Sequence, residues 1–315
     1  MTISKDKLLN IKKIVVHKFC HDGTSSAMII KDVLPDVEVF FAGHKDKEYL
    51  ELKVTPGLLF CDISPPPGRD REFLKGESIV LDHHIKYENV IKKFETAGLG
   101  AYGETDDGIS GAVLAYDHVW LPLEEKAKTY KKSVHSLQRL AGIRDTYQKD
   151  SLNWDDAQEQ TEALAFYPSD HYLNGNHICG ILPQEKEIGR VICERNKFYI
   201  ARAIDQAFLL PWNGIKVAII PGHKIISDAS EGLRKKGVSI TFAFGFKLSE
   251  FKTPYIAISS RSDGSFDCNR FAENFNGGGH VRAAGGMFMD IKDNTPNPYT
   301  AIQEMLNLHG EKCMI

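Results

Sequence analysis

Ser78-Ile-Val-Leu-Asp82-His83-His84 is an apolar run that stops abruptly on a carboxylate and two imidazoles. Its first four residues read as a buried strand, and the sudden polarity puts three chemically competent side chains at the strand's carboxyl end. Three similar runs precede it, Ile14 to Phe19, Val37 to Ala42 and Leu58 to Ile63, separated by stretches long enough to hold helices. This alternation predicts an α/β fold with an open, mostly parallel N-terminal sheet, in which ligands bind outside the carboxyl ends of the strands. Polar residues just past each run are therefore the first candidates: His17 with Asp22, Asp62 in Phe60-Cys-Asp-Ile-Ser64, and Asp82, His83 and His84. A helical stretch from Ile109 to Leu140, with Ser110 as its capping residue, leads to one more acid, Asp145 in Gly142-Ile-Arg-Asp-Thr-Tyr147.

Carboxylate oxygen beside imidazole nitrogen suits Mn²⁺, Co²⁺ or Zn²⁺ better than Ca²⁺. Converging carboxylates repel one another unless a cation sits among them. Further along, Gln184 to Phe208 reads as a connecting helix. Strand-like runs follow at Ile215 to Ile220, Val238 to Phe246 and Tyr255 to Ser260, then a helical Asn269 to Phe275 and a glycine-rich turn. The expected organisation is 1–183, a linker at 184–211, and a smaller α/β domain at 212–315. A chain of 315 residues fits two domains, and 42% hydrophobic, 26% charged and 10% aromatic content is that of a globular protein. The formal charge of -3 supplies no global basic field for long duplex nucleic acid. Neither a secretory signal nor a membrane span is expected, and six scattered cysteines read as reduced thiols in cytoplasm.

Leu81-Asp82-His83-His84 with these flanking acids resembles the DHH phosphoesterase family. Its four N-terminal motifs fall at His17-Lys-Phe-Cys-His-Asp22-Gly23, at Asp62, at Asp82-His83-His84 and at Asp145. Arg261-Ser-Asp-Gly264 and Asn276-Gly277-Gly278-Gly279-His280-Val-Arg-Ala-Ala-Gly-Gly286 resemble the family's associated C-terminal DHHA1 domain. The resemblance implies a Mn²⁺-dependent phosphoesterase with one or two ions, Co²⁺ or Mg²⁺ as alternatives, and an active site in the cleft between domains. It implies His17, Asp22, Asp62, His83 and Asp145 as ligands, Asp62 as the bridge if two ions bind, and Asp82, His83 and His84 as the catalytic motif. Within it, the chain looks most like small members that degrade short oligoribonucleotides. One departure is Thr24, where many members carry another Asp, which puts a full two-metal centre in doubt.

Hydrolysis of a phosphodiester needs a hydroxide at neutral pH and neutralised phosphoryl charge, both of which a metal supplies. Asp82 is either a ligand or the group that orients a neighbouring imidazole. Gly277, Gly278 and Gly279 lack a Cβ and are expected to offer backbone N–H groups as an anion nest, with His280 adding a hydrogen bond and Arg261 and Arg282 gripping phosphate oxygens. His44, His118, His135, His223 and His309 read as structural, and His21 divides evenly between substrate contact and solvated loop. His171 and His177 flank an expected loop that could touch substrate. A zinc knot built on Cys20, His17 and His21 lacks a second ligand pair. Gly98-Leu-Gly100-Ala-Tyr-Gly103 matches a dinucleotide fingerprint only as a string and is expected to be a mobile loop. Three functions remain in view: hydrolysis of short oligonucleotides, hydrolysis of pyrophosphate, polyphosphate or nucleotide phosphates, and weakly catalytic nucleotide binding. Aromatic residues near the glycine run (Phe266, Phe271, Phe275) would favour a base-bearing substrate if they were free to stack. The expected partner is thus a short oligonucleotide or a phosphorylated small molecule, with no membrane and with a homodimer left open.

Overall fold

The apolar runs at the start of the chain are continuous rather than alternating, as they must be when both faces of a sheet are covered. A computed structural model describes residues 3–173, 180–222, 225–248, 254–275, 277–290 and 297–315, and the chain divides into two units, Met1–Cys193 and Glu194–Ile315. His177, Cys179, His223 and Asn276 lie outside the described residues.

In the first unit the strands are β1 (Lys13–His17), β2 (Glu38–Ala42), β3 (Leu58–Cys61), β4 (Ile79–Asp82) and β5 (Gly100–Tyr102). They form a five-stranded parallel sheet in the order β2-β1-β3-β4-β5. Ile14, Val15, Val16, Leu59, Phe60, Val80 and Leu81 are buried within it. The order reverses between β1 and β3, which opens the crevice at their carboxyl ends where α/β sheets bind ligands. His17 ends β1 and Asp62 directly follows β3, so both stand at this reversal.

Helix α1 (Lys5–Leu9) precedes the sheet; α2 (His21–Val33), α3 (Lys47–Leu50), α4 (Asp70–Lys75) and α5 (Glu88–Thr96) fall between its strands. After β5 come α6 (Gly111–Ala115), α7 (Lys131–Asp145) and α8 (Trp154–Phe166), and α9 (Pro183–Asp205) carries the boundary between the units. The expected mobile loop at 98–103 is corrected: Gly100–Tyr102 is the fifth strand, paired Val80↔Gly100 to Asp82↔Tyr102. At three residues it is too short to show a period, and Gly100 is required because a Cβ there would lie 2.8 Å from the Phe94 side chain and 2.9 Å from the Val80 carbonyl.

The second unit is built on a six-stranded mixed sheet of β6 (Phe208–Trp212), β7 (Ile215–Pro221), β8 (Ile240–Leu248), β9 (Pro254–Ser262), β10 (Gly278–His280) and β11 (Ala283–Asp290). Their order is β10-β11-β9-β8-β7-β6, with only β7 and β8 parallel. Helices α10 (Ile226–Arg234), α11 (Cys268–Glu273) and α12 (Pro298–His309) complete it. Phe208–Trp212 is a strand where the sequence suggested the end of the connecting helix. Phe266, Phe271 and Phe275 belong to this unit's core, packed with Phe242 and Leu306, so the stacking role considered for them is corrected. No helix among the described residues is long and apolar enough to cross a membrane.

Helix α2 approaches β1 closely because its third residue is glycine: a Cβ on Gly23 would lie 2.3 Å from the His17 carbonyl oxygen. Gly23→Ala is expected to force α2 off the sheet and destabilise the protein by about 1–3 kcal/mol, read by urea unfolding. A substitution without effect would mean that this contact does not set the helix position.

Candidate metal centre

Each residue named from the strand ends arrives by a different element. Asp22 lies in the first turn of α2 and is buried, yet its carboxylate reaches three donors: Ser110 Oγ at 2.7 Å, Gly111 N–H at 2.6 Å and Ala112 N–H at 2.9 Å. Capping of α6 is thus done by Asp22, and the expected capping role of Ser110 is corrected. Its hydroxyl donates to Asp22 rather than accepting from its own helix. Gly111 is fixed by the same contact, since a Cβ there would lie 2.5 Å from that of Asp62.

Asp62 leaves β3 with φ 58°, a left-handed conformation that costs a residue with a Cβ of order 1–3 kcal/mol. Its N–H still donates to the Leu81 carbonyl at 3.0 Å, so the ladder to β4 continues while the side chain departs from the strand's alternation. Asp62 Oδ2 is buried and has no hydrogen-bond partner, and it lies 4.0 Å from His17 Nδ1.

His83 is the centre of the arrangement. Its Nε2 lies 3.2 Å from Asp145 Oδ2, 3.4 Å from Asp62 Oδ1 and 3.8 Å from Asp22 Oδ2, with Asp145 supplied by the last residue of α7. Burial, then the charges of Asp22 and Asp145, push the Asp62 carboxyl well above the usual range. Burial and the Asp22 charge likewise raise Asp145. Burial and the His44 and His84 imidazoles lower His17 to about 4, which leaves its lone pair free at neutral pH. Three carboxylates around one buried imidazole nitrogen, with a carboxylate oxygen left unsatisfied, form a donor set that fits a divalent transition cation.

Asp82 behaves differently. Its Oδ2 accepts from Ser64 Oγ at 2.6 Å, and its Oδ1 accepts from the N–H groups of His83 at 2.8 Å and His84 at 3.2 Å and pairs with His84 Nδ1 at 2.7 Å. Burial alone would raise its pKa, but the hydrogen bonds from His84 and Ser64 outweigh that and hold it low. Burial pulls His84 down, and the Asp82 carboxylate more than reverses this, to about 9. Of the two roles open to Asp82, its surroundings favour orienting the imidazoles.

The structure brings in three side chains that the sequence alone does not assign to the site. His44, on the loop after β2, packs its ring 5.1 Å from His17 and lies stacked with Tyr87 at 6.1 Å. It follows a strand that neighbours β1, so the rule that found His17 also pointed to it. Cys20 stands with His17 and Asp62 on one side and with His21 and Asp145 on the other, the donor atoms of each group within 4.8 Å of one another. Thr24, by contrast, is buried with its hydroxyl 2.9 Å from the Cys20 carbonyl and 3.1 Å from Ser169 Oγ. His171 pairs with Glu185 at 2.8 Å and stacks on Tyr167 at 4.2 Å, a structural setting.

In the second unit the anion nest expected of Gly277, Gly278 and Gly279 is corrected in part. Gly277 N–H donates to the Ala272 carbonyl at 3.0 Å, and Gly279 N–H donates to Asn269 Oδ1 at 2.8 Å. The glycines are needed because β10 and β11 form a tight ribbon: a Cβ on Gly277 would lie 2.2 Å from the Gly285 carbonyl oxygen, and Gly279 has φ 152° with its Cβ site 2.5 Å from the Ala283 carbonyl oxygen. His280 and Arg282 are exposed at the ribbon's end, and half-buried Arg261 is braced by Ser227 Oγ at 3.1 Å and the Ser260 carbonyl at 2.9 Å.

Residues 220–308 match the DHHA1 domain family. No curated protein sequence matches the chain. Among solved structures, RecJ from Thermus thermophilus in complex with Mn²⁺ aligns with a TM-score of 0.54 at 16% identity, covering 96% of this chain and 52% of that one. This chain therefore spans about half the length of RecJ. A pGpG-specific phosphodiesterase, PggH, from Vibrio cholerae aligns with a TM-score of 0.41 at 13% identity over 95% of this chain and all of its own. An exopolyphosphatase-related protein from Bacteroides fragilis aligns with a TM-score of 0.46 at 14% identity over 97% of each chain. Of these, RecJ carries the likeness in fold: a parallel N-terminal sheet followed by a mixed sheet. Residues 220–308 are thus a DHHA1 domain, and the Asp82-His83-His84 motif at the end of β4 stands in a chain whose fold is similar to that of RecJ.

Proposed function

We propose that this protein is a divalent-metal-dependent phosphodiesterase acting on short, base-bearing substrates such as oligonucleotides of a few residues. The observation that carries this reading is the convergence of Asp22, Asp62 and Asp145 on His83 Nε2, with Asp62 Oδ2 unsatisfied. These residues and His17 would hold a divalent cation, which would supply Lewis acidity and lower the pKa of a water. His84, charged at neutral pH through Asp82, is placed to offer a proton or a positive charge to a phosphoryl oxygen. Arg261, His280 and Arg282, with the Gly277, Gly278 and Gly279 ribbon, are assigned to phosphate binding in the second unit.

Phe19 favours a base-bearing substrate over polyphosphate. It follows His17 by two residues, which keeps it within ~7 Å of that ligand along the chain. It is 89% exposed and has φ 54°, and Lys18 Nζ lies 5.4 Å from its ring. An exposed, strained aromatic beside a charge and a metal cluster is a stacking platform that a base can use and polyphosphate cannot.

The assay is incubation with Mn²⁺ and, separately, a dinucleotide, a five-nucleotide RNA, a cyclic dinucleotide and tripolyphosphate. Mononucleotide products from the linear substrates are expected, and turnover of tripolyphosphate alone would replace this reading. Phe19→Ala should raise KM for the dinucleotide about tenfold, whereas an unchanged KM would remove the ring from substrate recognition.

Metal removal yields a stability prediction with a definite sign. Because the folded pKa of Asp62 is raised, its contribution to stability is present at low pH and lost as pH rises through the folded value. Chelated protein should therefore be stabilised by Asp62→Asn, by about 1–3 kcal/mol at neutral pH. The stabilisation of wild type by Mn²⁺ should grow from about pH 5 to about pH 8, as protons cease to compete for the ligands. Thermal melts with Mn²⁺ and with chelator check both, and a chelated variant less stable than wild type would contradict the picture of uncompensated charge.

A further inference from the structure

We propose that Cys20 is a metal ligand, and that its thiolate gives one side of the centre a sulfur, nitrogen and oxygen donor set selective for a borderline transition ion of the Zn²⁺ or Co²⁺ class. The sulfur belongs to two of the donor groups, His17-Cys20-Asp62 and Cys20-His21-Asp145, in each of which the ligand atoms lie within 4.8 Å of one another. Cys20 and His21 thus extend the centre beyond the carboxylate cluster on His83, toward atoms that this cluster leaves unused.

Further support comes from atoms that lack partners. Asp62 Oδ2, on a side chain 1% exposed, faces this group without a hydrogen bond and lies 4.0 Å from His17 Nδ1. His21 Nε2 is buried without a hydrogen-bond partner and lies 4.0 Å from Asp145 Oδ1. Buried polar atoms are nearly always satisfied, so two orphans on residues grouped with Cys20 point to a position that a ligand fills. A set of one sulfur, one or two imidazoles and carboxylate oxygen matches the four-coordinate preference of Zn²⁺ and is poor for Mg²⁺ or Ca²⁺, which take oxygen. On binding, the thiol proton passes to solvent and the sulfur lone pair forms the bond to the ion, with no change of oxidation state.

Backbone geometry delivers the thiol to this place. Phe19, with φ 54°, reverses the direction of the chain after β1, and Cys20 returns to extended geometry at φ -120° as the residue that starts α2. Of the described cysteines, Cys61 is buried and donates its S–H to the Gly111 carbonyl at 3.4 Å, while Cys268 and Cys313 lie in the core of the second unit. Cys20 is the cysteine that appears in the candidate donor groups.

The inference rests on the reading that the centre holds a divalent ion, and the test separates the two. The full-length protein is stripped with chelator and titrated with Co²⁺ while the near-ultraviolet spectrum and the melting temperature are followed. The expected result is a thiolate-to-cobalt charge-transfer band that saturates with the rise in melting temperature, and is absent in Cys20→Ser but retained in Cys193→Ser. Zn²⁺ affinity should fall by about tenfold or more in Cys20→Ser. If the variant fails to fold, X-ray absorption at the zinc edge of the wild-type protein decides, with one sulfur expected at about 2.3 Å. A melting rise without the band, or a zinc shell of nitrogen and oxygen alone, overturns the assignment of Cys20 and leaves the carboxylate cluster standing. No melting rise with Co²⁺, Zn²⁺ or Mn²⁺ overturns both.

Discussion

Three carboxylates sit within 4 Å of a single buried imidazole nitrogen, and most of the first unit's local structure is arranged around that repulsion. Asp22 is made tolerable by the N–H groups that begin α6 and by Ser110. That bond ties the start of α2 to the start of α6 across the crevice, so the two helices cannot separate without exposing an unpaired buried charge. Asp62 has less relief, since its Oδ2 has no hydrogen-bond partner, and it also carries backbone strain. Energy stored in both forms at one residue is the mark of a site that a bound cation completes.

Asp82 and Asp62 end adjacent strands and look equivalent in the sequence, yet their surroundings separate them. Asp82 is saturated by Ser64, two backbone N–H groups and His84, which lowers its pKa and fixes the orientation of the His84 ring. Asp62 is unsaturated, and its pKa is raised. The surroundings of the first suit a positioning group, and those of the second suit a cation ligand. The same pairing keeps His84 protonated at neutral pH beside the neutral imidazole of His17, giving the site one fixed positive charge of its own.

How much of this was legible follows from geometry. In a parallel sheet every strand delivers its next residue to the same edge, so His17, Asp62, Asp82 and His83 could be read from apolar runs alone. Asp145 ends a helix rather than a strand, and the family resemblance gave it its role. His44 obeys the strand-end rule, but a single histidine past a strand carries no partner in the sequence to mark it as part of a site. A zinc knot on Cys20, His17 and His21 lacks a second ligand pair in the sequence, because the acids grouped with Cys20 in the structure, Asp62 and Asp145, are distant along the chain. The glycine run from 277 to 279 suggests an open backbone, whereas Ala272 and Asn269 of α11 take up two of its three N–H groups. β5 and β6 lacked a period long enough to register, and Phe266, Phe271 and Phe275 could not be distinguished as core without the sheet beneath them.

If the carboxylates around His83 enclose a divalent ion, anomalous diffraction from a crystal equilibrated with Mn²⁺ should show a manganese peak bounded by Asp22, Asp62, His83 and Asp145, with Asp82 still bonded to Ser64 and His84. Carboxylates that remain in place with no peak among them, or a peak ligated by Asp82 with His84 displaced, would contradict it.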